Sequence, residues 1–319
     1  MLKGTKHSGT VILRLATHNT HNTTPITPIT FIQLYTHHIM SSSTASNLSA
    51  QHTIDIITDS LPATVETTAL SATGETQTTL LVQEHPLTLY LNRVEIVTLM
   101  TMGNEPHYLV VGFLLHQHLI ESVDDISAIH IDWSVHSAAV SAKTTQQIEE
   151  KTNSRVVTSG CGQGTMFSHV MDNLPSFSKH NTTITTAQIY ELLAQLAHEN
   201  TIYRQAGAVH SCALCTHDSV IKSVEDVGRH NAIDALGGYI ALESPQQKPT
   251  VMYTTGRLTS EMVIKTVQMQ IPILLSRSGA TAMGVAVGKA AGVMLISRAK
   301  GRSFSVLTEP QRLVIHQTE

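Results

Sequence analysis

Along the chain, the spacing of apolar residues switches between strand-like alternation and helical recurrence, and each switch predicts an element. Leu87, Leu89 and Leu91 alternate with polar partners, Asn92-Arg93 breaks the run, and residues 94–97 resume it. This is the pattern of a β-hairpin. Asn104 stands as a cap ahead of Pro106, and Leu109, Val110, Phe113 and Leu114 then recur as the buried side of a helix. Residues 126–132 return as a strand. Behind the cap candidates Thr185-Thr186, a second helix carries Ile189, Leu192, Leu193, Leu196 and Ala197 on one face. Beyond it the elements alternate. Strands are predicted over 219–224, 250–254, 272–275, 293–297 and 304–307, with helices over 228–242, 259–270 and 281–291. Strands and helices in that order build an α/β layered sheet. Such sheets present ligands at the loops leaving their strand ends.

Polar stretches divide the chain into three parts. Residues 1–78 are rich in Thr, Ser, His and Asn and lack sustained periodicity. So little apolar surface cannot offset the entropy of ordering, and a mobile tail is predicted. Met40, followed by Ser41-Ser42-Ser43, is a candidate start of translation. Residues 79–150 read as a small α+β domain, and the polar run 142–154 links it to an α/β domain over 151–319.

Composition narrows the function. The 319 residues carry a formal net charge of -4 and no long basic run, which argues against a general nucleic-acid binder. No stretch has the apolar length of a membrane span. The patch Val11-Ile12-Leu13 is interrupted by Arg14 and does not read as a secretory leader. Three cysteines, Cys161, Cys212 and Cys215, are an odd count that fits a reducing compartment, so the cytoplasm is expected.

Four loop clusters compete for the chemistry. In Ser159-Gly160-Cys161-Gly162-Gln163-Gly164-Thr165 one thiol sits among glycines, which let the backbone adopt unusual dihedrals and let a bulky partner approach. A loop that receives and hands on a group and a tight turn holding a small residue are equally good readings of it. The second cluster, 207–215, spaces Cys212 and Cys215 like a metal or redox pair. Structural zinc takes four ligands and no second pair exists, so buried core is the better reading. In the third, Asp226 could cap a helix, but Arg229, His230 and Asn231 add polar donors to a first turn that already attracts anions. A ligand site is the better reading there. The fourth comprises Thr255-Gly256-Arg257, Ser276-Arg277-Ser278 and Arg298-Ala299-Lys300-Gly301-Arg302, each behind a predicted strand. Arginines in three such loops would converge on one sheet edge and grip phosphates by forked hydrogen bonds.

The runs Glu-Asp-Val-Gly-Arg-His-Asn-Ala over 225–232, Thr-Gly-Arg-Leu-Thr-Ser-Glu over 255–261 and Ser-Arg-Ser over 276–278 resemble the formate dehydrogenase accessory sulfurtransferase family, FdhD. So do His-Pro-Leu-Thr over 85–88, Val111-Gly112-Phe113-Leu114 and Gly207-Ala208-Val209-His210. The resemblance spans 79–312. It implies a cytidine deaminase-like layered α/β domain preceded by a small α+β domain, in a homodimer. It also implies a sulfur carrier. The loop cysteine takes a persulfide from a cysteine desulfurase and passes the sulfur to a molybdenum or tungsten bis(molybdopterin guanine dinucleotide) cofactor, making formate dehydrogenase active. The cofactor is then a bound substrate, and no tightly bound metal of the protein's own is expected. Cys161 matches the first cysteine of the family's Cys-x-x-Cys loop, while Gly164 replaces the second. One thiol suffices to carry a persulfide.

On this reading Ser297, Arg298, Ala299, Lys300, Gly301 and Arg302, with Arg257, Arg277 and Ser278, hold the cofactor's diphosphates and guanines. Asp226, Arg229, His230 and Asn231 shape the pocket or orient the acceptor. Deamination is not expected, because His210 is followed by Ser211-Cys212 without the glutamate and proline of the zinc deaminases. Two other readings compete: a chaperone that inserts the pterin cofactor without sulfur chemistry, and a zinc or redox protein using Cys212 and Cys215.

Overall fold

The computed structural model describes residues 10–15, 52–143, 176–177 and 182–315. Two six-stranded sheets organise them. The first runs in the order β1-β2-β7-β8-β5-β6, from β1 (Thr10–Leu15), β2 (His52–Ile57), β5 (His85–Leu91), β6 (Val94–Thr101), β7 (Ile126–Asp132) and β8 (Ser137–Ala142). A separate two-stranded ribbon pairs β3 (Thr64–Leu70) with β4 (Thr76–Val82). The predicted hairpin is present as β5 and β6, turning at Asn92 and Arg93, both in the left-handed region. Leu87, Leu89 and Leu91 all face the core.

The expected tail over 1–78 is corrected from His52 onward. Ile54 and Ile56 of β2 are buried in the core, and β2 pairs in parallel with β7. Alternation as short as Ile54, Ile56 is lost among the surrounding threonines. The ribbon β3–β4 is polar and open on both faces, so it has no apolar period to read.

The helix α1 (Pro106–His116) begins at Glu105 rather than Asn104. Glu105 takes a left-handed conformation and no side chain caps the helix. Proline at the first position supplies the start, since its missing N–H would have no intrahelical acceptor there. Apolar on every side, α1 is buried and packs lengthwise on α4 (Arg229–Glu243). Glycines permit that approach: a Cβ on Gly112 would collide with the Asp234 carbonyl oxygen, and one on Gly238 with the Tyr108 carbonyl oxygen.

The second sheet runs β11-β10-β12-β13-β14-β15. Its strands are β10 (His210–Cys215), β11 (Val220–Asp226), β12 (Val251–Thr254), β13 (Ile273–Ser276), β14 (Met294–Lys300) and β15 (Ser303–Val306). The three central strands β12, β13 and β14 are parallel and joined through α5 (Ser260–Gln268) and α6 (Ala282–Ala291). Helices α4, α5 and α6 cover one face, contributing Leu236, Val263 and Val287 against Cys212, Leu214, Met252, Leu274 and Leu295. On the other face, α2 (Thr186–Glu199) lays Ile189, Leu192 and Leu196 on Ala213, Cys215, Tyr253, Leu275 and Ile296. Thr185 caps α2 as expected, its hydroxyl accepting from Gln188 N while Gln188 Oε1 accepts from Thr185 N. A short helix α3 (Thr201–Gln205) follows, and β9 (Ile184–Thr185) pairs in parallel with β16 (Leu313–Val314) as a small ribbon. Both sheets share one continuous core. The chain is thus a mixed α/β protein, and among the described residues no helix is long and apolar enough to cross a membrane.

Candidate functional site

The parallel order β12-β13-β14 sends the loops after these strands to the same edge of the sheet. Because β10 runs antiparallel to β12, and β11 antiparallel to β10, the start of β10 and the end of β11 arrive there too. Three of the four predicted loop clusters therefore line one edge. Backbone bonds tie the loops side by side. Thr255 N donates to Ser211 O at 2.9 Å, Arg277 N to Thr254 O at 3.2 Å, and Arg298 N to Ser278 O at 2.8 Å. Beneath them Ser276 Oγ donates to Gly256 O at 2.6 Å.

At the β11 end, Asp226 is buried and receives four hydrogen bonds. They come from Thr101 Oγ1 at 2.5 Å, Asn231 Nδ2 at 2.8 Å, Gly228 N at 3.0 Å and Met102 N at 3.2 Å. Asn231 Nδ2 also donates to Met100 O at 2.6 Å. The carboxylate and the amide thus pin the end of β6 onto the start of α4. Burial pushes the Asp226 carboxyl above its usual range, though all four donors oppose that shift. Arg229, first residue of α4, passes over Gly256, where a Cβ would meet its Cδ at 2.9 Å. His230 lies on the same turn, with Nε2 3.3 Å from Glu261 Oε2.

At the other end the edge is open. Arg257, Arg298, Lys300, Gly301 and Arg302 are exposed. The guanidinium of the half-buried Arg277 lies 5.9 Å from the centre of the Tyr203 ring. Tyr203 is held in turn because Glu225 accepts from Tyr203 N at 2.7 Å and Ile202 N at 3.0 Å, capping α3. Ser278 N donates to Ser276 Oγ at 2.9 Å. Burial lowers the pKa of His210, and the charges of Arg229 and Arg257 lower it further. A neutral imidazole and several cations therefore share the edge.

One predicted loop is partly strand. Residues 298–300 continue β14, so Ser297 and Ala299 point into the sheet while Arg298 and Lys300 point out. Ser297 Oγ donates to Ser305 O at 3.5 Å, and Ala299 packs in the second core cluster. Gly301 and Arg302 make the turn into β15. The strand predicted over 293–297 stops short of Lys300 because basic residues mark a loop only where both faces are wet, and here one face is covered. Arg298 adopts φ 53°, a left-handed conformation that costs a side-chain-bearing residue about 1 kcal/mol.

Cys212 and Cys215 do not form a pair. Three residues apart on a strand, they fall on opposite faces, Cys212 among the α4–α5 side chains and Cys215 under α2. Both are fully buried, and burial pushes each thiol up to about 12. The zinc or redox reading is therefore overturned, and these cysteines are core. Among the described residues no cluster of His, Cys, Asp and Glu could hold a metal ion. Cys161 and its glycine loop lie outside the described residues.

Several residues of the site were not singled out from sequence. Glu261 ends the Thr-Gly-Arg-Leu-Thr-Ser-Glu run, yet only Arg257 of that run was assigned. Lys265, one turn further along α5, pairs with both Glu261 and Asp234. A Glu followed four residues later by Lys was the available signal.

The model of the FdhD/NarQ family matches residues 82–314. A sulfur carrier protein FdhD of Bacillus licheniformis is 31% identical over 232 residues, covering 72% of this chain and 88% of its own. One from Wolinella succinogenes is 30% identical over 237 residues, covering 73% and 82%. Among solved structures, a candidate formate dehydrogenase accessory protein from Desulfotalea psychrophila superposes with a TM-score of 0.66 at 24% identity, covering 79% of this chain and all of that one.

Proposed function

Since this chain belongs to the FdhD/NarQ family, we propose that it is a sulfur carrier serving formate dehydrogenase, with Cys161 as the carrying thiol. The relatives' shared name, sulfur carrier protein, supports the carrier role. The observation that carries the rest is the gathering of the 225–231, 255–257 and 276–278 motifs with Arg298 on one sheet edge. Forked guanidinium donors there suit a ligand rich in phosphate, as a guanine dinucleotide cofactor is. The layering is read as cytidine deaminase-like, and the working unit as a cytoplasmic homodimer.

The transfer balances without an external oxidant. The Cys161 thiolate attacks the outer sulfur of a cysteine desulfurase persulfide; a new S–S bond forms on Cys161, and the donor's cysteine leaves as thiolate. The outer sulfur would then pass to the reduced, metal(IV) form of the molybdenum or tungsten bis(molybdopterin guanine dinucleotide) bound as substrate. The S–S bond breaks, Cys161 leaves as thiolate, the persulfide proton is lost to solvent, and the metal supplies the electron pair of the new metal–sulfur bond, rising to metal(VI). The edge arginines hold the cofactor's diphosphates, while Arg229 and His230 face the acceptor. Arg257 and Arg298, being exposed, are free to reach a ligand.

Incubation with a desulfurase and cysteine, followed by peptide mass analysis, tests this. One added sulfur is expected on Cys161. None is expected on Cys212 or Cys215, whose buried thiols neither reach a donor nor ionise at neutral pH. A Cys161→Ala variant that still activates formate dehydrogenase in cells lacking the native protein would leave the chaperone reading in its place.

A further inference from the structure

Behind His230, three helices gather charged side chains that sulfur transfer does not use. Asp234, one turn along α4 from His230 and almost wholly buried, lies 2.6 Å from His116 Nδ1 of α1. It also receives Lys265 Nζ of α5 at 2.9 Å. Lys265 is just as buried, and its ammonium lies 3.4 Å from Glu261 Oε1. The other oxygen, Glu261 Oε2, faces His230 Nε2 at 3.3 Å, close enough for a charge contact but not aligned as a hydrogen bond, and this buried nitrogen has no hydrogen-bond partner. The line therefore ends on an imidazole at the sheet edge whose side chain is 27% exposed.

The proton of that imidazole has only one good position. A lone pair on Nε2 would confront a carboxylate oxygen and be repelled by it, whereas an N–H there is attracted. We propose that Glu261 is a positioning residue that keeps the His230 proton on Nε2, leaving Nδ1 as a hydrogen-bond acceptor for the ligand at the sheet edge, with Lys265, Asp234 and His116 bracing Glu261 from behind.

The charges around the ring agree with a neutral imidazole. Burial pulls its pKa down to about 4; Glu261 and Asp234 oppose the shift, and Lys265 and Arg229 reinforce it. Those four groups, from α5 and from α4 itself, face the ring, and His116 of α1 stands behind Asp234. The edge arginines donate only, so a neutral acceptor complements them, as the imidazole of His210 does at the start of β10. His230 would receive an N–H, O–H or S–H of the ligand. This inference leans on the sulfur-carrier reading only for the identity of the ligand.

Nitrogen-detected NMR of the histidines in the full-length protein, followed against pH, reads the tautomer directly. His230 is expected as the Nε2–H form, without titration through the ordinary imidazole range. Glu261→Ala should mix the two tautomers and slow formate dehydrogenase activation about tenfold. Glu261→Gln, whose amide oxygen still accepts, should restore both. An Nδ1–H form in the wild type, a normal titration, or a tautomer indifferent to Glu261→Ala would overturn the proposal. A correct tautomer in a protein whose Cys161 never carries sulfur would instead sink the sulfur-carrier reading and leave this one standing.

Discussion

The two ends of the sheet edge carry equally polar motifs and spend them differently. At the β11 end, Asp226 and Asn231 direct their side-chain bonds at this chain's own groups, fixing the tip of β6 to α4. Further along, Arg257 after β12 and Arg298, Lys300 and Arg302 at the β14 end extend into solvent. One end is a clamp and the other a rim. A motif's polarity does not distinguish them; where its hydrogen bonds go does. Substitutions at the clamp should cost stability, and substitutions at the rim should cost binding.

The largest effect is expected beneath the clamp, at Lys265. Lys265→Met leaves the Asp234 carboxylate buried without its cation, which typically costs about 3–5 kcal/mol. Denaturant unfolding measures it, and the pH dependence identifies the cause. In the wild type burial raises the Asp234 pKa, but Lys265, with His116, reverses the balance and holds it low. A depressed carboxyl contributes stability above its unfolded value of about 4, lost as pH falls through the lower folded value. Lys265 is the mirror case. Burial lowers its pKa, Asp234 and Glu261 raise it overall, and its contribution is lost only as pH rises through the raised value. In Lys265→Met the carboxyl is no longer held down, so the variant's deficit relative to the wild type should shrink as the pH drops from 7 towards about 5. The lowered pKa values of His210 and His230 reduce stability over that range in both proteins. A parallel profile for the two proteins would mean the pair is not what holds Asp234 charged.

A smaller loss is expected within the clamp itself. Asp226→Asn keeps the shape but turns one acceptor into a donor, which then faces either Gly228 N and Asn231 Nδ2 or Met102 N and Thr101 Oγ1. Setting donor against donor in a buried place costs about 2–3 kcal/mol. The loss should appear as a lower denaturant midpoint with an unchanged slope. If stability holds while ligand binding fails, Asp226 belongs to the rim after all.

How much of this was legible follows from the same distinction. Val251-Met252-Tyr253 and Ile273-Leu274-Leu275 read as strands because strands covered on both faces are apolar throughout, and residues 126–132 were found to the residue. The convergence of the arginine loops was legible too, since parallel strands joined by helices must send those loops to one edge. The clamp was not, because Thr101 and Met102 reach Asp226 from a distant part of the sequence. Nor was the Asp234–Lys265 pair: each charge looks like a polar break in a helix face until both are seen to point inward. The ribbon β3–β4 escaped notice because nothing in it alternates. The opposite facing of Cys212 and Cys215 was within reach, since an odd spacing on a strand always separates two side chains.

The smallest effect on stability, and the sharpest contrast, should come at Arg298. Its left-handed backbone is unfavourable for any residue bearing a Cβ, while its side chain extends outward between the buried Ser297 and Ala299. Arg298→Gly relieves the backbone and keeps the N–H that donates to Ser278 O. Stability should stay level or rise by about 0.5 kcal/mol, glycine's greater freedom in the unfolded chain cancelling part of the gain. Binding should move the other way. Losing one guanidinium from a phosphate site removes about 1.5 kcal/mol of charged hydrogen bonding, or roughly tenfold in affinity for inorganic diphosphate by calorimetry at low salt. A residue kept in a strained conformation, though glycine would fit with less strain, is being kept for its side chain. If Arg298→Gly bound diphosphate as the wild type does, this end of the edge would lose its reading as a rim, and the strain at Arg298 would have no account.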